Sequence, residues 1–426
     1  MNPITKYLKE STTRALTIDT DPVNHLKYVV VIPCYDEEDI LHTLNSIYMA
    51  HPPEGGIEVI IVVNSSESDT LDVVSRNQTS FRQIKKWNDT LNSPHIQFHP
   101  IYLDNLADKE AGPGIARKTG MDTALLRIKQ SGCEDGHIIS LDADCEIKPN
   151  YFTTIEQTLK EQKKVNAGII YFEHPLEGNK CSSANYQAAA NYELFLRYYN
   201  RGLAFAGFPY PFHTIGSAFF VRAEAYAKQG GMNKRKAGED FYFLNKIFQL
   251  GHIHEVNKTC VIPSPRPSER VLFGTGPEIK KMSANHKMEY KVYDPNYFKI
   301  LQSFFNTTLS ECYKRSIDKI DDILKDQSLE LMNFLGKNNF KKEIKRLKDN
   351  CASEQTFRKQ FFHWFNGLRV IQFMHSVHED ENKKVPVFEA SRYLLKQMGV
   401  NDDSKNVYEL LKTYRKIERE NSYKIS

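Results

Sequence analysis

Tryptophan is scarce in this chain, with 2 residues in 426, and cysteine occurs only 7 times, at irregular spacing and with no C-x-x-C pair. An odd set of scattered thiols does not make a disulfide framework; it fits reduced cysteines in a cytoplasm. Charge of one sign is lacking too. The 57 Lys and Arg are nearly matched by 53 Asp and Glu, leaving a net charge of +4, too small a basic excess for a nucleic-acid footprint. Nowhere does an apolar run reach the ~18 residues of a membrane-spanning helix, and the opening stretch, MNPITKYLKESTTRALTIDTD, has no apolar core of a secretory leader. The expectation is a soluble, cytoplasmic protein with no nucleic-acid partner, in contact with membrane at most peripherally.

What is present is core material. Hydrophobic residues make up 40% of the chain, with 25 Phe and 22 Tyr, which argues against disorder and for more than one average domain. Residues 1–27 are polar and read as an arm. Tyr28–Ile32 is a β-branched run ended by Pro33 and reads as a buried strand. Acidic residues Asp36–Asp39 precede Ile40, Leu41, Leu44 and Ile47 at helical spacing, and Val59–Val63 reads as a second buried strand. Strand, helix and strand in close succession make a βαβ unit, and continuous apolar strands suggest a parallel sheet covered on both faces. The alternation continues: helix from Asp69, strand Ile96–Leu103, helix Gly114–Ile128, strand His137–Leu141, helix Tyr151–Gln162, strand Ala167–Phe172, strand Ser217–Arg222 and helix Asp240–Leu250. After about residue 290 helical stripes take over, one through Phe357, Phe361, Trp364, Phe365, Leu368 and Ile371, another through Val407, Leu410, Leu411, Tyr414 and Ile417. This organisation predicts an arm over 1–27, an α/β domain over 28–290 and a helical region over 291–426.

Ligands of open α/β sheets bind beyond the carboxyl ends of strands. There stand Asp142 and Asp144, directly after the apolar Ile138–Leu141. Two carboxylates on such a turn suit a hard divalent cation, Mn²⁺ or Mg²⁺, which neutralises a diphosphate; a turn of Asp side chains bonding their own backbone is the plain alternative. Arg117 and Lys118 follow Gly112-Pro113-Gly114 at a helix start, a natural anion site, or else a solvated basic pair. Pro263, Pro265 and Pro267 stiffen a loop whose Arg266 and Arg270, with the turn Gly274-Thr275-Gly276, are placed to close over a diphosphate. His213, His252, His254 and His286 are candidates for an additional metal ligand, although most isolated histidines are not ligands. Tyr186–Tyr199 reads as a packed aromatic helix, and Gly202–Phe212 as an acceptor loop.

Five segments in order resemble the family 2 glycosyltransferases. They are Val31–Glu38, Val62–Asp69, Gly112–Gly120, the Asp142-Ala143-Asp144 turn, and Gly216–Arg222 followed by Gly238-Glu239-Asp240. The resemblance covers about residues 28–255. It implies an α/β GT-A nucleotide-diphospho-sugar transferase fold with a Rossmann-like mixed sheet, here carrying a C-terminal helical region. It further implies that Pro33, Cys34, Tyr35 and Glu37 line the nucleotide pocket, that Arg117 and Asp142 contact the donor, and that Asp142 and Asp144 hold the metal. Asp240 is then the catalytic base, with Glu239 orienting the acceptor; helix N-capping by the same acids is compatible with this. Where the family carries an acidic pair that reads the base, this chain has Asn64 and Ser65, so the base is left open. The expected partners are a nucleotide-diphosphate sugar donor and a glycan, lipid-linked or small-molecule acceptor, with transfer by inversion. No Gln-x-x-Arg-Trp signature of the processive synthases occurs. The alternatives are a sugar-nucleotide-binding scaffold without catalysis and a nucleotidyltransferase, whose glycine-rich basic loop after the first strand is missing.

Overall fold

The apolar run at Tyr28–Ile32 forms the middle of strand β1, Leu26–Cys34, in the computed structural model of the chain. The structure describes all residues except 12–14, 134, 236, 271–273, 285–288 and 426, with the backbone alone at Lys424 and Ile425. Seven more strands follow: β2 Gly56–Ser66, β3 Ile96–Leu106, β4 His137–Ser140, β5 Cys145–Ile147, β6 Ala167–Phe172, β7 Phe219–Arg222 and β8 Ile253–Pro263. With the short strand Lys424–Ile425 they form one mixed sheet. β3, β2, β1 and β4 run parallel in that order; β7 then pairs antiparallel with both β4 and β6, and β6 runs parallel to β8. This is the α/β mixed sheet that the family resemblance implies; the wholly parallel sheet suggested by the apolar strands alone is corrected by the antiparallel β7. Ile138, Ile139 and Val29–Ile32 are almost wholly buried, as strands covered on both faces must be.

The chain divides into two compact units. The first comprises Met1–Ala189, Thr214–His286 and Glu418–Ser426; the second comprises Ala190–His213 and Lys287–Ile417. In the first, Asn2 caps a helix, Pro3–Glu10, by accepting from the Ile4 N–H at 2.9 Å, and proline stands in its first turn. The described residues before β1 are tied to the domain by side-chain contacts. Tyr7 donates to Asp122 at 2.8 Å and accepts from Lys118 Nζ at 2.7 Å, the Leu16 N–H donates to Thr123 at 3.1 Å, and Arg127 donates to the Thr20 carbonyl at 2.6 Å. All these partners lie on the helix Pro113–Gln130, whose polar residues Arg117, Lys118, Asp122, Thr123 and Arg127 are buried with it. Each has a hydrogen-bond partner, as buried polar groups require.

The second unit is helical among the described residues, apart from a two-strand ribbon of Lys291–Val292 with Val385–Pro386. Its core holds Phe304, Phe305, Phe361, Phe362 and Phe365 in mutual ring contact. Two expectations need correction here. The stripe from Phe357 to Ile371 is not one face of one helix. A helix ends at Trp364, and Asn366 starts another, Gly367–Val377, by accepting from the N–H groups of Leu368 and Arg369. The new helix buries Val370, Phe373, Met374 and Val377, leaving Leu368 and Ile371 half-buried. Likewise Gly202–Phe205 is not loop: the helix Ser183–Phe205 runs through it.

Candidate active site

The carboxyl ends of the adjacent parallel strands β4, β1 and β2 lie at the same end of the sheet. Val31 pairs with Ile60 on one side and Ser140 on the other. Past Ser140 the chain turns through Asp142-Ala143-Asp144, closed by the Cys145 N–H donating to the Asp142 carbonyl at 3.2 Å. Thr43, on the helix Ile40–Tyr48, donates to the Ala143 carbonyl at 2.7 Å and fixes the turn from outside. Both carboxylates remain reachable, with side-chain exposures of 38% for Asp142 and 27% for Asp144.

Arg117 stands at the centre. From the second turn of the helix Pro113–Gln130 its buried guanidinium donates to four acceptors: Glu239 at 3.1 Å, Ser140 Oγ at 2.5 Å, the Gly216 carbonyl at 3.0 Å and Asp142 Oδ1 at 2.8 Å. Burial opposes its charge, but Asp142, Glu239 and Asp240 outweigh burial and hold it firmly protonated. Gly114 lets the helix start here, because a Cβ at that position would run into the Arg235 carbonyl. Gly216 is needed for a related reason. A Cβ there would lie 2.8 Å from Arg117 Nη2 and 3.0 Å from Asp240 Oδ2, so Asp240 and Arg117 flank the same small space. Lys118, in contrast, is turned into the protein, where it pairs with Asp122 at 3.1 Å and Tyr7.

Glu239 and Asp240 open the helix Glu239–Phe248, and Asp240 Oδ1 accepts from the Phe241 N–H at 2.7 Å. Glu239 is buried on Arg117. Asp240 is pushed up to about 7: desolvation is the main cause, the Glu239 charge adds to it, and Arg117 only partly offsets them.

A second cluster lies at the end of β1. Glu37 is 2% exposed and is held by two arginines from the loop after β8. Arg266 makes a two-point contact with it at 3.0 and 2.7 Å, and Arg270 adds a third bond at 3.0 Å while also donating to the Tyr35 carbonyl. Burial would raise the Glu37 carboxyl, but the two guanidinium groups pull it below its ordinary value. Both arginines also reach Asp144 Oδ2, at 3.7 and 3.5 Å. Desolvation, reinforced by Asp142 and Glu37, nevertheless leaves Asp144 raised against the pull of Arg270 and Arg266. Tyr35 donates to Asp69 at 2.6 Å, and Pro33 is half-buried. Cys34 is fully buried, and burial keeps its thiol protonated. Asn64 is buried at the end of β2 with neither amide atom hydrogen-bonded, while its neighbour Ser65 accepts from Asn77 at 3.0 Å.

The structure thus gathers Arg117, Asp142, Glu239 and Asp240 in one network, and Glu37, Asp144, Arg266 and Arg270 in another that meets it at the Asp142-Ala143-Asp144 turn. Ser140 escaped the sequence reading. Its only signal is a hydroxyl inside the apolar run Ile138–Leu141. For a divalent cation the donor set is suitable: two half-exposed hard oxygen ligands on one turn, each bound to arginine through one oxygen, leaving room for phosphate and water oxygens. No described histidine extends it. Among the described residues no group of three or more His, Cys, Asp or Glu forms a cation site. His252 lies outside β8 with φ 55°, His254 is in the strand, and His286 lies outside the described residues.

No helix among the described residues is long and apolar enough to cross a membrane. Comparison with curated proteins gives no match. Among solved structures, S. aureus TarS 1-349 in complex with UDP-GlcNAc is similar at 14% identity, covering 79% of this chain and 91% of that one, with a TM-score of 0.41. The same fragment in complex with UDP gives 14%, 80% and 92%, with a TM-score of 0.38. The family model "Glycosyl transferase family 2" matches residues 29–230, a span that contains most of β1, the Arg117 helix and the Asp142-Ala143-Asp144 turn. Residues 29–230 are therefore similar to glycosyl transferase family 2, and the protein is a glycosyltransferase.

Proposed function

We propose that the 28–290 region transfers a sugar from a nucleotide-diphosphate donor to an acceptor hydroxyl, with inversion at the anomeric carbon. The observation that carries this reading is the double engagement of Arg117. One guanidinium joins the donor-side turn, through Asp142, to the acceptor-side acids, through Glu239. The acceptor oxygen forms the new bond to the anomeric carbon as the bond from that carbon to the β-phosphate oxygen breaks. The acceptor proton passes to Asp240, and the electron pair of the broken bond leaves on the nucleoside diphosphate. A carboxylate near 7 is well matched to take that proton at neutral pH.

Asp142 and Asp144 would hold Mn²⁺ or Mg²⁺, which when bound supplies positive charge to the diphosphate. Arg266 and Arg270 stand beside that place and would add hydrogen bonds to the phosphates. The end of β1 with the turn after it, Pro33–Glu37, and Asn64 near the end of β2 would contain the nucleoside. Asn64, with an unpartnered amide, supports recognition of a base by paired donor and acceptor contacts. The acceptor is a glycan, a lipid-linked sugar or a small molecule.

The test is release of free sugar or glycosylated product from UDP-, GDP-, CDP- and dTDP-sugars with Mn²⁺, followed by chromatography. Turnover of one donor that is lost in both Asp240→Asn and Asp144→Asn supports the reading. Turnover unchanged in Asp240→Asn contradicts the assignment of the base.

A further inference from the structure

The second cluster has a consequence for the order in which ligands bind, and it rests on the donor-site reading above. Arg266 and Arg270 stand on a loop with Pro263, Pro265 and Pro267, so the backbone that carries them has little freedom. Ser268 Oγ accepts from both the backbone N–H and the Nε of Arg270, at 3.2 and 3.0 Å, and orients that side chain. Glu37, from the opposite end of the domain's sequence, anchors both guanidinium groups by a buried two-point contact and a third bond. Arg270 Nη2, which makes no bond to Glu37, lies 3.5 Å from Asp144 Oδ2, and Arg266 Nη2, which also donates to Glu37, lies 3.7 Å from the same oxygen. Two arginine charges thus stand at the very carboxylate that a divalent cation needs. A cation approaching alone meets their repulsion at short range in a partly desolvated place, where Coulomb interactions are strong. A cation arriving with a diphosphate brings negative charge that the arginines can take instead.

We infer that, before donor binds, Arg266 and Arg270 are the counter-ions of Asp144 and exclude the free divalent cation, so that metal enters only together with the nucleoside diphosphate. Glu37 is the positioning residue of this arrangement: it acts through Arg266 and Arg270, which it holds where they can pass from Asp144 to phosphate.

The experiment titrates Mn²⁺ alone into the full chain, reading free Mn²⁺ by its electron paramagnetic resonance signal. Wild type is compared with Glu37→Gln/Arg266→Gln/Arg270→Gln, which removes the anchored arginines together with their buried partner, so that no charge is left buried at position 37 and Asp144 is freed of its counter-ions. The variant should bind Mn²⁺ at least tenfold more tightly than wild type, and adding Asp144→Asn should abolish that gain. Arg270→Gln alone, which leaves Glu37 paired with Arg266, should show a gain of several-fold and serves if the triple variant does not fold. Arg266→Lys/Arg270→Lys, which keeps the charge, should stay as weak as wild type. Equal affinity of wild type and the neutral variants for Mn²⁺ alone overturns the inference. If wild type nonetheless binds Mn²⁺ in the presence of UDP, GDP, CDP or dTDP, the donor-site reading stands and only the exclusion falls. If no form binds Mn²⁺ with any of the four nucleotides, both fall.

Discussion

Arg117 Nη2 donates to Asp142 Oδ1 at 2.8 Å, and the same guanidinium reaches Glu239, Ser140 and Gly216. A lysine offers at most three donors without the planar fork. Arg117→Lys should therefore keep the charge and lose the geometry, lowering kcat by about 10²–10³-fold, the usual cost of removing an organised electrostatic contact. Arg117→Met leaves buried Glu239 uncompensated and should destabilise the fold by about 3–5 kcal/mol. Steady-state kinetics and urea unfolding separate the two effects.

Asp240 provides a pH test. The base works only when ionised, and burial beside Glu239 raises it to about 7. Activity should rise with pH through that region and fall away below it. Asp240→Asn should remove turnover at every pH while nucleotide binding persists. A pH–rate profile flat from 5 to about 8 in wild type would be incompatible with this role.

Glu58 and Arg127 form a buried two-point pair at 2.8 and 2.7 Å, with the Val23 N–H adding a bond at 3.0 Å. Burial alone would raise the Glu58 carboxyl, yet His99, Arg127 and that N–H pull it to about 2. The folded form thus binds this proton less readily than the unfolded chain. The stabilisation is complete above the ordinary value of 4.5 and is lost as pH falls toward 2. Glu58→Gln should cost about 3–5 kcal/mol at neutral pH. The deficit should shrink in acid, as urea midpoints measured at pH 7 and pH 3 would show.

Tyr7 ties the N-terminal helix to Lys118 and Asp122. Removing its hydroxyl leaves a buried ammonium one partner short, so Tyr7→Phe should cost about 1–3 kcal/mol. Thermal unfolding reads this directly; an unchanged midpoint would mean that the helix contributes no stability through this contact.

The legibility of the fold follows from where its signals are stored. Strands β1, β2 and β6 announce themselves because buried strands are continuous apolar runs, and Ala167–Phe172 is read to the residue. Helix starts are legible where acids gather, as at Asp36–Asp39. The stripe from Phe357 to Ile371 misled because hydrophobic spacing continues across a break, and the local Asn366 cap decides. Of the site, the chemistry of Asp142, Asp144, Glu239 and Asp240 is local and can be read from short motifs. The partnership of Glu37 with Arg266 and Arg270 is not, since more than half the chain separates them and only the folded sheet brings β1 and the end of β8 to one place. The docking of Tyr7 on Lys118 is hidden for the same reason, which is why the opening residues read as a polar arm.

The most direct test of the central claim is the thermal stability of the full chain with UDP, GDP, CDP and dTDP, each with and without Mn²⁺. A ligand at about a hundred times its Kd adds roughly 2.7 kcal/mol, an easily seen rise in Tm. The account predicts a rise with one nucleotide that requires the metal and disappears in Asp144→Asn. No rise with any nucleotide, or a rise untouched by Asp144→Asn, would contradict a donor site built on the Asp142-Ala143-Asp144 turn.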